Sequence, residues 1–531
     1  LPYSLQGLAT RWLANLPGRD SHPLDYTTLP GRTINLSPFS FCGKRLQIHR
    51  RGCLVFFYSY PHHFLQSMHI EWLRMTFSYV FLVIGEVFFV SALLHMMYQR
   101  RSPTSMISWM LAIILLPHLA VPLYFILGSR KRVNSKTKSM FSLRSVTDLP
   151  LEKANPIDGV LRANGIPGGT RGNRFTLYTD GTEAYLALME QIRTARESIF
   201  ISTYVFNNDA VTADILQALT LKAQEGVKVR LLIDSLGSFL LYCFQRPLTQ
   251  LRQAGGTVSF FMPILHMPLR NYINLRNHRK IYLFDRRIVL TGGMNLSNDY
   301  LGPSPDLLRW HDLLFLIEGP AVFHYLEIFA SDWAYASGYT IPITLDIVPP
   351  GIGDAYIQVV PSGPDIARDA LFEALLCAIY SARKRIWIVT PYFVPVTSLQ
   401  EALIIAHHRG VDVRLITPYE SNHLLADLVR SSYMRELMDA GVEVALYKGS
   451  MLHAKAILFD DDSAMLGSVN IDNRSLLLNY EVVSFAYSVS IISEMNNWML
   501  KLQEDTRHTM KPPGTMRRIA ENMMRIVAPQ L

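Results

Sequence analysis

Two histidine–lysine pairs carry the reactive side chains of this chain. His278 and Lys280 are followed by Asp285, and His453 and Lys455 by Asp460, both in the pattern H-x-K-x-x-x-x-D. The first copy runs into Gly292-Gly293-Met294-Asn295 and the second into Gly467-Ser468-Val469-Asn470, so each asparagine lies 17 positions beyond its histidine. Alternate side chains of a strand share a face, so each histidine points the same way as its lysine. Two such pairs facing each other suit displacement at a phosphodiester. One neutral imidazole attacks phosphorus and becomes a phosphohistidine. The other, protonated, donates to the leaving alkoxide and then deprotonates the incoming alcohol. The lysines, with Asn295 and Asn470, would hold the non-bridging oxygens as their charge grows. A carboxylate behind each ring would orient it.

The candidate catalytic set is therefore His278, Lys280, Asp285, His453, Lys455 and Asp460. Aligning the sequence beyond the two asparagines sets Asp312 opposite Glu481, and these are the candidates for the orienting carboxylates. Asp285 and Asp460 are expected to support the site structurally. The scheme needs no metal, and the sequence offers no ligand cluster; the four cysteines are scattered, without a C-x-x-C pair.

The elements that position these residues repeat. Ala195-Arg-Glu-Ser-Ile-Phe-Ile-Ser-Thr-Tyr204 matches the segment from Ala382 to Pro391, Gly226-Val-Lys-Val-Arg230 matches Gly410-Val-Asp-Val-Arg414, and Ala254-Gly255 matches Ala440-Gly441. Apolar β-branched strands alternate with helical stretches such as 212–224 and 398–409, which predicts an α/β sandwich in each unit. The expected units are a first domain over 156–345 and a second over 346–531, parted by the Pro/Gly-rich segment 341–353. The upstream matches are offset by 184 to 187 positions but the histidines by 175, so the first unit holds about 11 extra residues, within Met262–Tyr272. Their apolar character reads as a lipid-contacting lip beside the site, or else as an ordinary packed loop.

Ahead of the repeats the composition changes. Apolar segments at about 75–98 and 106–127 are each long enough to cross a bilayer, and the short turn between them predicts a transmembrane hairpin over 73–132. Both exceed the apolar core of a cleaved signal. Arg130, Lys131, Arg132, Lys136 and Lys138 follow it, against Arg100 and Arg101 in the turn, which places the later domains in the cytoplasm. Glu86 and His118, each 12 residues from its end of the hairpin, are expected to hydrogen-bond across it. Residues 1–72 show no periodicity and read as a disordered leader or an extension ahead of a start at Met68 or Met75. Residues 133–155 read as a basic linker. A net charge of +8 points to an anionic partner. At the C-terminus, the stretch around Met516–Ile526 fits either an interfacial helix or a cap on the second domain.

The paired H-x-K-x-x-x-x-D motif, the hairpin ending Pro122-Leu-Tyr-Phe125 and Gly128-Ser-Arg-Lys-Arg132, and Thr390-Pro-Tyr-Phe-Val-Pro395 resemble the phospholipase D superfamily, and within it the bacterial cardiolipin synthases. Asn470-Ile-Asp-Asn-Arg-Ser475 and Asn479-Tyr-Glu481 extend the resemblance, which covers the chain from about residue 75 onward. It implies two pseudo-symmetric α-β-α domains forming one active site. It also implies transfer between two phosphatidylglycerol molecules to give cardiolipin and glycerol, without a cofactor, in a bacterial inner membrane. His278 would then be the nucleophile and His453 the acid/base. A nuclease uses the same motif, but it would carry a basic groove interleaved with aromatics, so no nucleic acid partner is expected. A hydrolase or headgroup-exchange enzyme is not excluded by the motifs, because pocket shape selects the acceptor.

Overall fold

A computed structural model of the chain describes residues 62–98, 103–127, 138–146, 155–266 and 274–527. The leader before residue 62, and the part of the Met262–Tyr272 insertion beyond His266, lie outside the described residues.

Helix α1 (His62–Tyr98) starts ahead of the expected span, and its stretch Ile70–Tyr98 is, among the described residues, the one helix long and apolar enough to cross a membrane. The second apolar segment is divided, correcting the expectation of one straight span. Pro117 has no N–H to donate and disfavours helical backbone at Leu116, so α2 (Pro103–Leu115) ends there and α3 (Pro117–Leu127) begins. Glu86 and His118 do not bond. His118 lies against Phe81, ring centroids 4.4 Å apart, and beside Gly85. His95 Nδ1 bonds Tyr124 Oη between these helices at 2.8 Å, among the buried Ala92, Met96, Ile113, Ala120 and Val121.

The two repeats form one continuous sheet. The first contributes β1 (Thr170–Tyr178), β2 (Ser198–Thr203), β3 (Lys228–Asp234), β4 (Thr257–Phe261), β5 (Ile281–Phe284), β6 (Ile288–Gly292) and β7 (Leu314–Glu318). The second contributes β8 (Ala355–Ser362), β9 (Arg385–Val389), β10 (Phe393–Val394), β11 (Asp412–Pro418), β12 (Glu443–Tyr447), β13 (Ala456–Phe459), β14 (Ser463–Gly467), β15 (Ile471–Asp472), β16 (Glu481–Ala486) and β17 (Thr506–Arg507). The sheet runs β17-β12-β11-β9-β13-β14-β16-β8-β1-β7-β6-β5-β2-β3-β4, while β10 and β15 pair apart from it. Read outward from the β1–β8 junction, the two halves have the same strand order, with β17 added at the outer edge of the second. That symmetry brings equivalent residues of the two repeats to one central cleft.

Local chemistry explains the repeats. Asp180 and Asp209 cap the helices Gly181–Thr194 and Ala210–Gln224 with their carboxylates. Gly226 and Gly410, at φ 89° and 88°, take the left-handed turn that ends a helix before β3 and β11. The helices Val322–Ser337 and Val489–Glu504 cover one face through Phe329, Trp333, Met495 and Met499, all buried. Each such large side chain contributes roughly 2–3 kcal/mol by burial. The helix Thr515–Val527 packs on Leu424–Asp439, with buried Glu521 bonded to Arg517 (2.9 Å) and Arg435, and Arg525 to Glu436 (2.6 Å). This is the capping arrangement.

Candidate active site

Each H-x-K segment enters the cleft on backbone bonds to the opposite repeat. His278 N donates to Tyr480 O (2.9 Å) and Tyr480 N to Arg276 O (2.9 Å). In the other half, His453 N donates to His311 O (2.7 Å) and His311 N to Met451 O (2.8 Å). The histidines stand at the end of β2 and β9 where the parallel strands finish, since Lys280 immediately precedes β5, which runs antiparallel to β2 with Ser202 opposite Ile281.

The orienting carboxylates are exchanged between the halves. His278 Nδ1 bonds Glu481 Oε2 at 3.0 Å and lies 3.2 Å from Ser468 O. His453 Nδ1 donates to Asp312 Oδ2 at 2.6 Å. All four side chains are buried. With both Nδ1 atoms committed, Nε2 is the nitrogen each ring keeps for chemistry; that of His453 also lies 3.4 Å from Tyr300 Oη. Lys280 Nζ donates to His278 O at 2.9 Å, and Lys455 Nζ lies 3.4 Å from Asp312 Oδ2. Asn295 Oδ1 accepts from Val205 N at 3.2 Å, whereas Asn470 keeps a buried Oδ1 without a partner.

Burial decides the protonation of these groups. It pushes the imidazoles down, Lys455 and Asp312 adding to and opposing the shift, until His453 titrates at about 3; His278 is lowered too, although Glu481 works against the shift. Lys280 falls to about 7, and Lys455 is lowered as well. Burial raises both carboxyls, but the lysine and histidine partners outweigh it, and Asp312 and Glu481 end below their ordinary range. The cleft therefore holds two neutral imidazoles, two lysines whose affinity for a proton is lowered, Lys280 to about 7, and two carboxylates.

Asp285 and Asp460 stand outside the cleft, where they support the turns beneath it and do not face the reacting groups. The Asp285 carboxylate accepts the backbone N–H groups of Arg196, Glu197 and Ser198 at 2.7 to 3.1 Å, and Asp460 those of Arg383, Lys384 and Arg385 at the same range of distances. Each lies at the far end of a four-residue strand from its lysine, on the order of 15 Å away. Their role is to fasten a tight turn, where Asp285 and Asp460 hold φ 49° and 51°, to the start of β2 and β9.

Other site residues gave little signal in the sequence. Ser468 Oγ donates to Glu481 Oε2 at 2.5 Å. Its counterpart is Gly293, where a Cβ would stand 2.1 Å from Asp312 Oδ1. At this position the two tails differ because one carboxylate needs a donor and the other needs room. Tyr204 packs edge-on to His278 at 4.9 Å, and Tyr300 and Trp310 flank His453 at 5.2 and 5.3 Å. Arg279 and Asn277 face away from the cleft into a buried ionic group.

Two matching α/β halves with one shared His–Lys, His–Lys cleft define a phospholipase D-like protein. A solved phosphatidylserine synthase from Haemophilus influenzae, 17% identical, overlays on 71% of the chain and all of its own length with a TM-score of 0.55, which places the fold. The family model "Cardiolipin synthase, PLD-like domain" matches residues 188–333 and 375–503, and the model "Phospholipase_D-nuclease N-terminal" matches 87–129. Cardiolipin synthase 1 of Bacillus cereus is 32% identical over 82% of this chain and 90% of its own. A cardiolipin synthase of Clostridium perfringens is 32% identical over 81% and 95%, and the major cardiolipin synthase of Bacillus subtilis 30% identical over 82% and 95%. The chain belongs to the bacterial cardiolipin synthases, phosphatidyltransferases of the phospholipase D superfamily.

Proposed function

We propose that the chain joins two phosphatidylglycerol molecules into cardiolipin and free glycerol, with His278 as nucleophile and His453 as acid and base. The observation that carries this reading is the exchanged pairing of each buried histidine with a carboxylate of the opposite half. His278 Nε2 attacks the first phosphorus and the bond to the headgroup glycerol breaks, while His453 protonates the departing oxygen. A glycerol hydroxyl of the second phosphatidylglycerol then gives its proton to His453 and attacks phosphorus, breaking the P–N bond. Lys280, Lys455, Asn295 and Asn470 hold the non-bridging oxygens.

Charge balance supplies His453 with its proton. Two ammonium groups and two carboxylates cancel in the cleft. A phosphodiester adds one negative charge to a dry site, and a buried charge demands compensation. The imidazole beside the leaving oxygen is the group placed to take up a proton, and the anion that enters raises its affinity for one.

Lipid as substrate fits the rim. Leu240 and Phe244, after β3, and Leu265, after β4, are exposed at the end of the sheet where the histidines lie, as is Leu424 after β11. Packing of α2 and α3 along α1 supports a re-entrant or spanning hairpin with the catalytic halves on the cytoplasmic face of a bacterial inner membrane. Lys138 leaves the count of basic residues behind that orientation, since it is buried. The test is purified full-length protein supplied with phosphatidylglycerol alone: cardiolipin and glycerol in equal amounts are expected, and neither with His278→Ala or His453→Ala. Phosphatidic acid as the main product would make the chain a hydrolase instead.

A further inference from the structure

Residues 138–146 connect the apolar helices to the catalytic halves. Instead of forming a solvated linker, this stretch is clamped to both repeats. Phe141 N donates to Asp365 O at 2.8 Å, Arg144 Nε lies 2.5 Å from Glu327 Oε1, and Leu143 is buried in the core.

Lys138 is the innermost residue of the stretch. Its Nζ donates to Asp332 Oδ1 at 2.6 Å and to Asp365 Oδ2 at 2.5 Å. Asp332 belongs to the first half, on the helix Val322–Ser337, and Asp365 follows β8 in the second. The same two carboxylates accept from Arg279, Nη1 to Asp332 Oδ1 at 2.7 Å and Nη2 to Asp365 Oδ1 at 3.3 Å. None of the four side chains is more than 2% exposed. Two cations and two carboxylates thus form a neutral quartet across the seam.

The quartet reaches the nucleophile from both sides. Arg279 follows His278 in sequence and donates from Nε to Glu481 O at 3.0 Å. Asn277 precedes His278; its Nδ2 donates to Asp332 Oδ2 at 3.1 Å and its Oδ1 accepts from Arg279 N at 3.1 Å. Tyr480, the backbone partner of His278, has the Lys138 ammonium 5.6 Å from its ring centre.

We propose that Lys138 is a positioning residue for His278: the segment leaving the membrane helices supplies the fourth charge of a quartet that fixes Arg279, and through it the His278–Glu481 pair. The proposal rests on the reading of His278 as nucleophile. Without the lysine, two buried carboxylates share one guanidinium, and an uncompensated buried charge forces Arg279 or a carboxylate to move.

Charge arithmetic gives the test. Lys138→Met leaves the quartet at −1, Asp365→Asn at +1, and the double variant Lys138→Met/Asp365→Asn at zero. Full-length proteins are assayed for cardiolipin formation in mixed micelles of phosphatidylglycerol. Each single variant should lose about 100-fold in kcat, the scale of a 1 Å misplacement at a reacting group, with KM within about threefold. The double variant should recover at least about tenfold over either single one, which a lost anchoring contact would not produce. Wild-type kcat in Lys138→Met, or a double variant no better than Asp365→Asn, would overturn the proposal. If Lys138→Met does not accumulate as folded protein, the second comparison decides alone. An active His278→Ala would instead sink the reading of the nucleophile.

Discussion

Glu481→Gln tests the exchanged pairing most directly. The change keeps the shape of the side chain but removes its charge and turns one accepting oxygen into a donor. At Glu481 Oε2 two donors converge, His278 Nδ1–H at 3.0 Å and Ser468 Oγ–H, so an amide that keeps its oxygen there accepts both without the charge and turns its NH2 toward the donor Asn479 Nδ2. His278 gains positive charge as it bonds phosphorus, and the carboxylate facing it is fully buried. Losing one partner of a buried, hydrogen-bonded charge pair costs roughly 2–5 kcal/mol. Taking about 2–4 kcal/mol as the part felt in the transition state, kcat should fall about 30- to 1,000-fold at 1.36 kcal/mol per decade. KM should move little, because the imidazole is neutral before reaction. Cardiolipin formation in mixed micelles gives both constants. Mass analysis of protein quenched in neutral denaturant and then digested adds the assignment: Asp312→Asn should accumulate a phosphatidyl adduct on the peptide holding His278, and Glu481→Gln should not. A Glu481→Gln enzyme within threefold of wild-type kcat would refute the argument, and an adduct on the His453 peptide would reverse the roles.

Three further outcomes follow from the same geometry. The kcat/KM profile should be bell-shaped: His278 must be neutral, and its lowered pKa puts the acid limb below the ordinary histidine value of about 6.5, whereas Lys280 loses its charge as pH rises through about 7, which sets the alkaline limb; a profile flat from pH 6 to 9 would contradict the assigned roles. Asp285→Ala and Asp460→Ala each free three backbone donors and should cost about 1–3 kcal/mol of stability, read by thermal unfolding, while kcat of the folded enzyme stays within about threefold; a thousandfold loss of kcat with unchanged melting would return these residues to the chemistry. Gly293→Ala drives a methyl to 2.1 Å from Asp312 Oδ1 and should lower kcat at least about tenfold by displacing the carboxylate from His453, whereas Ser468→Gly removes a donor to Glu481 without a clash; a Gly293→Ala enzyme as active as wild type would show that the carboxylate has room to yield.

The chain itself determined the reactive residues, the twofold repeat and the two supporting carboxylates. These were legible because strand periodicity fixes which side chains share a face, and because a duplicated pattern can be aligned with itself. Asp285 and Asp460 travelled with the motif, yet their neighbours in space are the turns before β2 and β9, 75 to 89 positions away in sequence. Local features misled where geometry bends: Pro117 interrupts the second apolar segment, and the helix turns Gly85, not Glu86, toward His118. Only the tertiary structure decided which carboxylate serves which histidine. Joining β1 to β8 turns the halves about a common edge, so Asp312 reaches His453 across 141 positions and Glu481 reaches His278 across 203. The same folding drew Lys138 out of an expected linker into the seam, where burial makes its charge indispensable to two aspartates that no sequence pattern had linked to it.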